Sequence, residues 1–418
     1  MSDPAHSGRG RWEIPLWRDV TDEQWNDWRW QVKHSIRTPD ALKKVLRLTA
    51  AEEEGFLATR EVFQMAITPY YAALMDQGDP SCPIRRQAVP HIAETHITDA
   101  EMRDPLTEDD HVVAPGLVHR YPDRALLLVN NMCAMYCRFC TRKRYTGAVN
   151  ETLPKAEFQQ VLDYLHAHPE VRDVLVSGGD PFMMADARLD ELLAGLRSVP
   201  SVEVIRIGSR VPVVLPMRVT PELAQILRKH APVWVNTHFN HPKELTPEAR
   251  AACARLVDVG VPMGNQTVLL KGVNSSVRTL KVLFQQLVAT RVWPYYLYQC
   301  DLVEGTDHFR TPVAKGLEVM EQLRGHTSGF AIPTFVVDTP GGGGKIPLSP
   351  QYQLSASAEE TTLRNFEFRT FRYPEPVERD CTCAYEAKFF REDTAEAALE
   401  LQADWPQSAR ARRRRRAG

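Results

Sequence analysis

The chain has 418 residues, 43% of them hydrophobic, enough to bury the core of one large domain or two ordinary ones. With 51 Lys and Arg against 53 Asp and Glu the net charge is −2, which argues against a nucleic-acid or anionic-membrane partner and for a small one. No run reaches the roughly 18 apolar residues of a membrane span, and the N-terminus lacks the apolar stretch of a signal peptide, so a cytoplasmic protein is expected.

Residues 1–115 read as a mostly helical region. Thr21 and Gln24 have capping-box spacing ahead of Trp25, Trp28, Trp30 and Val32, side chains better suited to packing than to chemistry. From about residue 124 short apolar, β-branched runs alternate with amphipathic segments of helical period. The runs are Leu126–Val129, Val171–Val176, Val202–Ile207, Val233–Val235, Thr267–Leu270, Tyr295–Tyr298 and Thr334–Val337. Thr220-Pro221 and Thr246-Pro247 each set a capping hydroxyl before a proline at the first helical position, and Gly260 is placed to close the second helix. Such βα repeats predict an α/β protein whose residues 116–345 form a partial (β/α) barrel with its chemistry at the C-terminal strand ends. Polar and glycine-rich segments fall at those ends: Asn130-Asn131, Ser177–Asp180, Asn236–His238, Asp301 and Asp338–Lys345. Residues 346–407 read as a less regular C-terminal extension and 408–418, holding Arg412–Arg416, as a self-repelling disordered tail.

Eight cysteines are too few for a disulfide scaffold, and three of them crowd together as Cys133-x3-Cys137-x2-Cys140 after the first barrel strand. Three close thiolates suit zinc or an iron–sulfur cluster. Structural zinc takes four ligands, and no fourth follows at finger-like spacing. Three thiolates on a 4Fe–4S cubane leave one iron open to another ligand. Cys82, Cys253 and Cys300 read as buried small hydrophobes.

Asp338-Thr-Pro-Gly-Gly-Gly-Gly-Lys345 is not a P-loop, because Ile346 stands where a hydroxyl is required. A flexible glycine loop instead lets a lysine swing onto an aldehyde. Arg120 and Arg124, in His-Arg-Tyr-Pro-Asp-Arg, are two cations four apart, open to reading as a solvated face or an anion site.

The cysteine segment resembles the radical SAM signature, and residues 12–375 are similar to the lysine 2,3-aminomutase family. That resemblance implies a 4Fe–4S cluster on Cys133, Cys137 and Cys140, with S-adenosylmethionine (SAM) on its open iron. It implies SAM contacts at Ser177, Gly178, Gly179 and Asp180, with His238 and Gln266 as further candidates. Lys345 resembles the family's pyridoxal phosphate (PLP) lysine, and Arg120 and Arg124 its phosphate ligands. Arg142 resembles the α-carboxylate ligand, and Asp301 and Asp338 the pair that receives the distal ammonium of lysine. Transfer of the α-amino group of a basic amino acid to its β-carbon is the implied reaction, with lysine ahead of arginine. An electron donor such as flavodoxin or ferredoxin and a homo-oligomeric state are implied too.

Clostridial-type members carry a zinc site from a Cys-x-Cys-x2-Cys tail and a cysteine in a Gly-Val-Asn segment. Here Cys381 and Cys383 stand, but Glu386 takes the third tail position and Gly272-Val273-Asn274 runs into Ser275-Ser276, which puts zinc and its subunit contact in doubt. The competing readings are a radical SAM reaction without PLP and a zinc-binding interaction protein.

Overall fold

The computed structural model describes residues 10–147 and 151–378. Cys381, Cys383 and the arginine-rich end lie outside the described residues. Residues up to Pro350 form one compact unit, and those from Gln351 belong to another.

The seven apolar runs become seven consecutive parallel strands inside a ten-stranded sheet. In chain order its strands are β1 (Val112–Ala114), β2 (Leu117–Tyr121), β3 (Arg124–Asn130), β4 (Asp173–Gly178), β5 (Val204–Gly208), β6 (Val233–Thr237), β7 (Met263–Leu269), β8 (Trp293–Gln299), β9 (Thr334–Thr339) and β10 (Gly344–Leu348). Spatial order follows chain order and the two ends do not pair, so the sheet is an incomplete barrel. Pairing is parallel from β3 to β9 and antiparallel at β1–β2–β3 and β9–β10.

Successive strand residues point to opposite faces. On β4, Val174 and Val176 are buried in the core, while Leu175 and Ser177 line a cavity on the other face. Covering helices supply leucines at helical spacing: Leu189, Leu192, Leu193 and Leu196 of Asp186–Ser198 are all fully buried, each contributing roughly 1.5–3 kcal/mol. Thr220 and Thr246 cap their helices as expected, accepting from the amides of Leu223 and Ala249, and Gly260 ends the second at φ +87°. The Thr21–Gln24 capping box forms, and Trp25, Trp28 and Trp30 pack against the core.

Three strands of this sheet, β1, β2 and β10, do not show in the apolar pattern, and β10 alters how the glycine run is understood. The glycine run is no free loop: Gly341, Gly342 and Gly344 adopt φ of +69°, +79° and +92°, a backbone that L side chains resist, and they turn the chain directly into β10. Lys345 is therefore a strand residue, directly opposite Asp338 of β9. β7 starts at Met263, ahead of its apolar run, because Gly264, Asn265 and Gln266 interrupt the hydrophobic pattern. Asn265 is buried there, its amide bonding both backbone groups of Phe239.

In the second unit, β11 (Gln353–Ala356), β12 (Glu360–Arg364) and β13 (Thr370–Pro374) form a three-stranded antiparallel sheet, more regular than its sequence suggests. Among the described residues no helix is long and apolar enough to cross a membrane.

Candidate active site

β3 delivers the chain at Asn130 to the cysteine segment, and β4 holds that segment in place. The amides of Gly179 and Asp180 donate to the carbonyls of Asn130 and Met132, each at 2.6 Å. The approach needs glycine: a Cβ on Gly178 would lie 2.2 Å from the Asn130 oxygen and one on Gly179 2.2 Å from the Met132 oxygen. Gly179→Ala is thus expected to lower stability by about 1–3 kcal/mol and to reduce the iron bound per chain, measured by denaturant unfolding and iron analysis.

Asp180 is buried, and its two oxygens accept four hydrogen bonds: Ser209 Oγ at 2.7 Å and Phe182 N at 3.0 Å on one, Arg210 N at 2.7 Å and Val211 N at 3.1 Å on the other. What it presents to a ligand's ammonium is charge at close range rather than a vacant acceptor. Ser177, Gly178 and Gly179 line the same cavity, of about 590 Å³, as the three cysteines.

Burial raises the Cys133 and Cys140 thiols; Asp180, Cys140 and Cys137 raise Cys133 further, and Cys137 raises Cys140. Cys137 Sγ accepts from Arg210 Nη1 at 2.7 Å. Among the described residues no three His, Cys, Asp or Glu side chains form a ready single-ion site. Three thiols spread along one loop and facing one cavity instead match the donor set of a cluster with one unligated iron. Beside them, His238 Nε2 and Asn236 Nδ2 are buried without a partner among the described residues. Burial and then Arg210 hold the His238 ring neutral, down to about 3. Gln266 lines the cavity nearby and donates to Tyr298 Oη at 3.3 Å.

At the far side of the cavity Lys345 Nζ lies 3.0 Å from both oxygens of Asp338 and 5.4 Å from the Tyr298 ring centre. Asp301, also lining the cavity, has its carboxyl pushed up to about 7 by burial and then by Asp338. Arg120 gives Nη1 to the Leu106 carbonyl at 3.1 Å, whereas its Nη2 is buried without a partner among the described residues. Arg124 pairs with Asp123 at 2.9 Å and lies 4.0 Å over the Tyr121 ring. Arg142 donates its Nε and Nη2 to Glu108, at 3.1 and 2.7 Å, and lines the cavity. Burial opposes charge on Glu108, but Arg142 holds its carboxyl below the usual range.

Every cavity residue expected from the sequence lines this one space, and among the further residues lining it Glu108, Arg210 and Tyr298 contact the expected ones. Arg210 follows β5 at a polar strand end, the same signal that marked the other segments. Glu108 precedes the barrel and carries no periodic signal.

An open β/α sheet with three cysteines after its first parallel strand, facing a cavity at the strand ends, defines a radical SAM enzyme, and residues 127–281 match the Radical SAM superfamily. That superfamily implies SAM and a 4Fe–4S cluster, and the three thiols with the glycine-stapled loop fit both. Residues 320–404 match Lysine-2,3-aminomutase. The chain is 55% identical to the L-lysine 2,3-aminomutase of Fusobacterium nucleatum, across 86% of this chain and 84% of that one. It is 53% identical to the L-lysine 2,3-aminomutase of Clostridium subterminale across 88% and 89%, and 43% identical to the glutamate 2,3-aminomutase of Clostridioides difficile across 84% and 83%. The chain belongs to the lysine 2,3-aminomutase family and is an enzyme of the isomerase class.

Proposed function

We propose that the chain moves the α-amino group of L-lysine to the β-carbon, using PLP beside SAM and the cluster. The observation that carries the substrate is the acidic pair. Asp301 and Asp338 line one cavity, where burial and then Asp338 make charge on Asp301 expensive, so a cation is the ligand that relieves it. In the ligand-free chain that cation is a lysine ammonium already, the Nζ of Lys345 on Asp338. With PLP bound, Lys345 would hold it and leave Asp338 open to the distal ammonium of a substrate lysine.

Support for PLP comes from the opposite side of the same lysine. Arg120 Nη2, buried and without a partner among the described residues, lies where a Cβ on Gly344 would be 3.6 Å away, so a phosphate next to Lys345 meets a ready donor. When bound, SAM with the cluster supplies hydrogen abstraction from an unactivated C–H, and PLP supplies the π-system that lets nitrogen migrate. The protein's own groups do the rest. Arg142, oriented by Glu108, has an edge free for the α-carboxylate, the aspartates fix the other end of the substrate, and the enclosing walls limit water.

The reading extends to a reducing cytoplasmic setting, a one-electron protein donor such as flavodoxin or ferredoxin, and assembly as a homo-oligomer. A guanidinium fork reaches two carboxylates at once, so arginine is the second substrate to test. Reconstituted enzyme is to be incubated without oxygen with reductant, SAM, PLP and each of lysine, arginine and glutamate, and the β-isomers measured. Lysine is expected to exceed glutamate at least ~100-fold in kcat/KM, since juxtaposed like charges oppose binding by several kcal/mol. Turnover of glutamate at or above the lysine rate would overturn the assignment. Borohydride reduction with PLP present should mark Lys345, and absence of an adduct there removes PLP from the reading.

A further inference from the structure

Arg210 lies between β5 and the short helix Val211–Val214, buried and fully committed. Its Nε donates to the His238 carbonyl at 3.2 Å, and Nη1 to Cys137 Sγ at 2.7 Å. Nη2 meets Gln87 Oε1 at 2.5 Å, Glu244 Oε1 at 2.9 Å and Tyr71 Oη at 3.5 Å. Its backbone amide is held by Asp180, and the guanidinium sits 5.2 Å from the Phe139 ring centre. Glu244 is itself fully buried and held by the amides of Asn240 and His241. Turning the guanidinium away from the sulfur would leave that buried carboxylate its neutral donors, Tyr71 Oη at 2.7 Å and Gln87 Nε2 at 3.2 Å among them, but take away its charged partner.

We infer that Arg210 sets the reduction potential of the cluster by donating a charge-assisted hydrogen bond to the Cys137 thiolate. The inference rests on the cluster that the superfamily implies, seated on these three cysteines. Reduction adds one electron from an external one-electron donor, with no bond made or broken and no proton moved, so the cluster and its thiolates become more negative by one charge. A fixed cation with an N–H on one ligand sulfur stabilises that state more than the oxidised one, and hydrogen bonds to sulfur are a recognised lever on cluster potentials. Burial strengthens the effect, because little water screens it. Among the described residues the other hydrogen bond to any of the three sulfurs is a neutral backbone one, Arg142 N to Cys140 at 3.4 Å. Among the described residues the charge-assisted hydrogen bond to sulfur thus comes from Arg210, fastened by side chains from the N-terminal helical region and from the strand ends.

The test is a potentiometric titration of the reconstituted full-length chain, followed by the electron spin resonance of the reduced cluster. Removing Arg210 alone would strand Glu244, so Arg210→Met is combined with Glu244→Gln and compared with Glu244→Gln alone, which keeps the guanidinium. At a fixed potential near the midpoint the double variant is expected to show about a tenfold lower ratio of reduced to oxidised cluster, equivalent to ~59 mV for a one-electron couple. Equal midpoints in the two variants, at equal iron and sulfide content, would overturn the inference. If the double variant takes up no cluster, Arg210→Gln in the same Glu244→Gln background serves instead, and its neutral amide is expected to lower the midpoint by a smaller factor. An unchanged midpoint there, or failure of both to assemble, overturns a potential-setting role in favour of assembly. A parent chain that binds no iron and sulfide would instead count against the cysteine assignment on which the inference rests.

Discussion

Replacing any one of Cys133, Cys137 and Cys140 with alanine is expected to abolish reductive cleavage of SAM and to strip most of the iron from the reconstituted chain. The loss should exceed the roughly 10–100-fold in metal affinity that follows from losing an outer partner of a metal ligand, because here a ligand itself is removed and an additional iron is left bare. The glycine-stapled loop remains, so the failure is one of coordination rather than of folding. Cys82→Ala and Cys253→Ala separate the two. Both thiols are buried away from the cavity, where burial raises them and they act as small apolar groups. Each is expected to lower stability by about 1 kcal/mol and to leave iron content and SAM cleavage unchanged. Iron analysis, absorbance near 400 nm and product chromatography distinguish the outcomes. Retention of full SAM cleavage in a Cys140→Ala chain would mean that the centre is held elsewhere.

The sheet was legible because a parallel strand buried on one face needs apolar, mostly β-branched residues whatever its function; six of the seven runs carry β-branched residues, and the seventh, Tyr295–Tyr298, is aromatic and leucine instead. What escaped was held by other forces. β7 begins among Gly264, Asn265 and Gln266, where a buried asparagine satisfies a neighbouring backbone in place of an apolar side chain. β10 lay hidden behind its own turn: four glycines read as looseness, whereas three of them supply positive φ angles that fix the hairpin. That difference bears on chemistry, since Lys345 is held opposite Asp338 rather than left to swing. The cysteines, the two aspartates and Lys345 announced themselves by residue type at strand ends. Glu108 could not, because its role depends on a fold that brings a loop before the barrel against Arg142. Asp180 shows the converse limit: its motif was visible, but not the four internal donors that occupy it.

Asp301→Asn is expected to lower kcat/KM for lysine roughly 100- to 1000-fold, since removing one partner of a buried charge pair costs about 3–5 kcal/mol, yet to stabilise the ligand-free protein above neutral pH. The two effects have one cause. Burial, then Asp338, pushes the Asp301 carboxyl up to about 7, against about 3.9 in an unfolded chain. Between those values the folded protein keeps a proton that the unfolded chain releases, so the contribution of Asp301 to stability is fully present below about 3.9. It is lost as pH rises through about 7. At pH 8 the asparagine variant should therefore unfold with roughly 1–4 kcal/mol more free energy than the parent, measured in denaturant without ligands. Lysine binding runs the other way. Its ammonium needs the ionised carboxylate, so affinity in the parent should climb as pH rises through about 7, and calorimetry on the variant should find that climb gone. A parent affinity that is flat from pH 6 to pH 8 would show that Asp301 does not receive the substrate cation, leaving Asp338, which Lys345 already occupies, as the site's acceptor of positive charge.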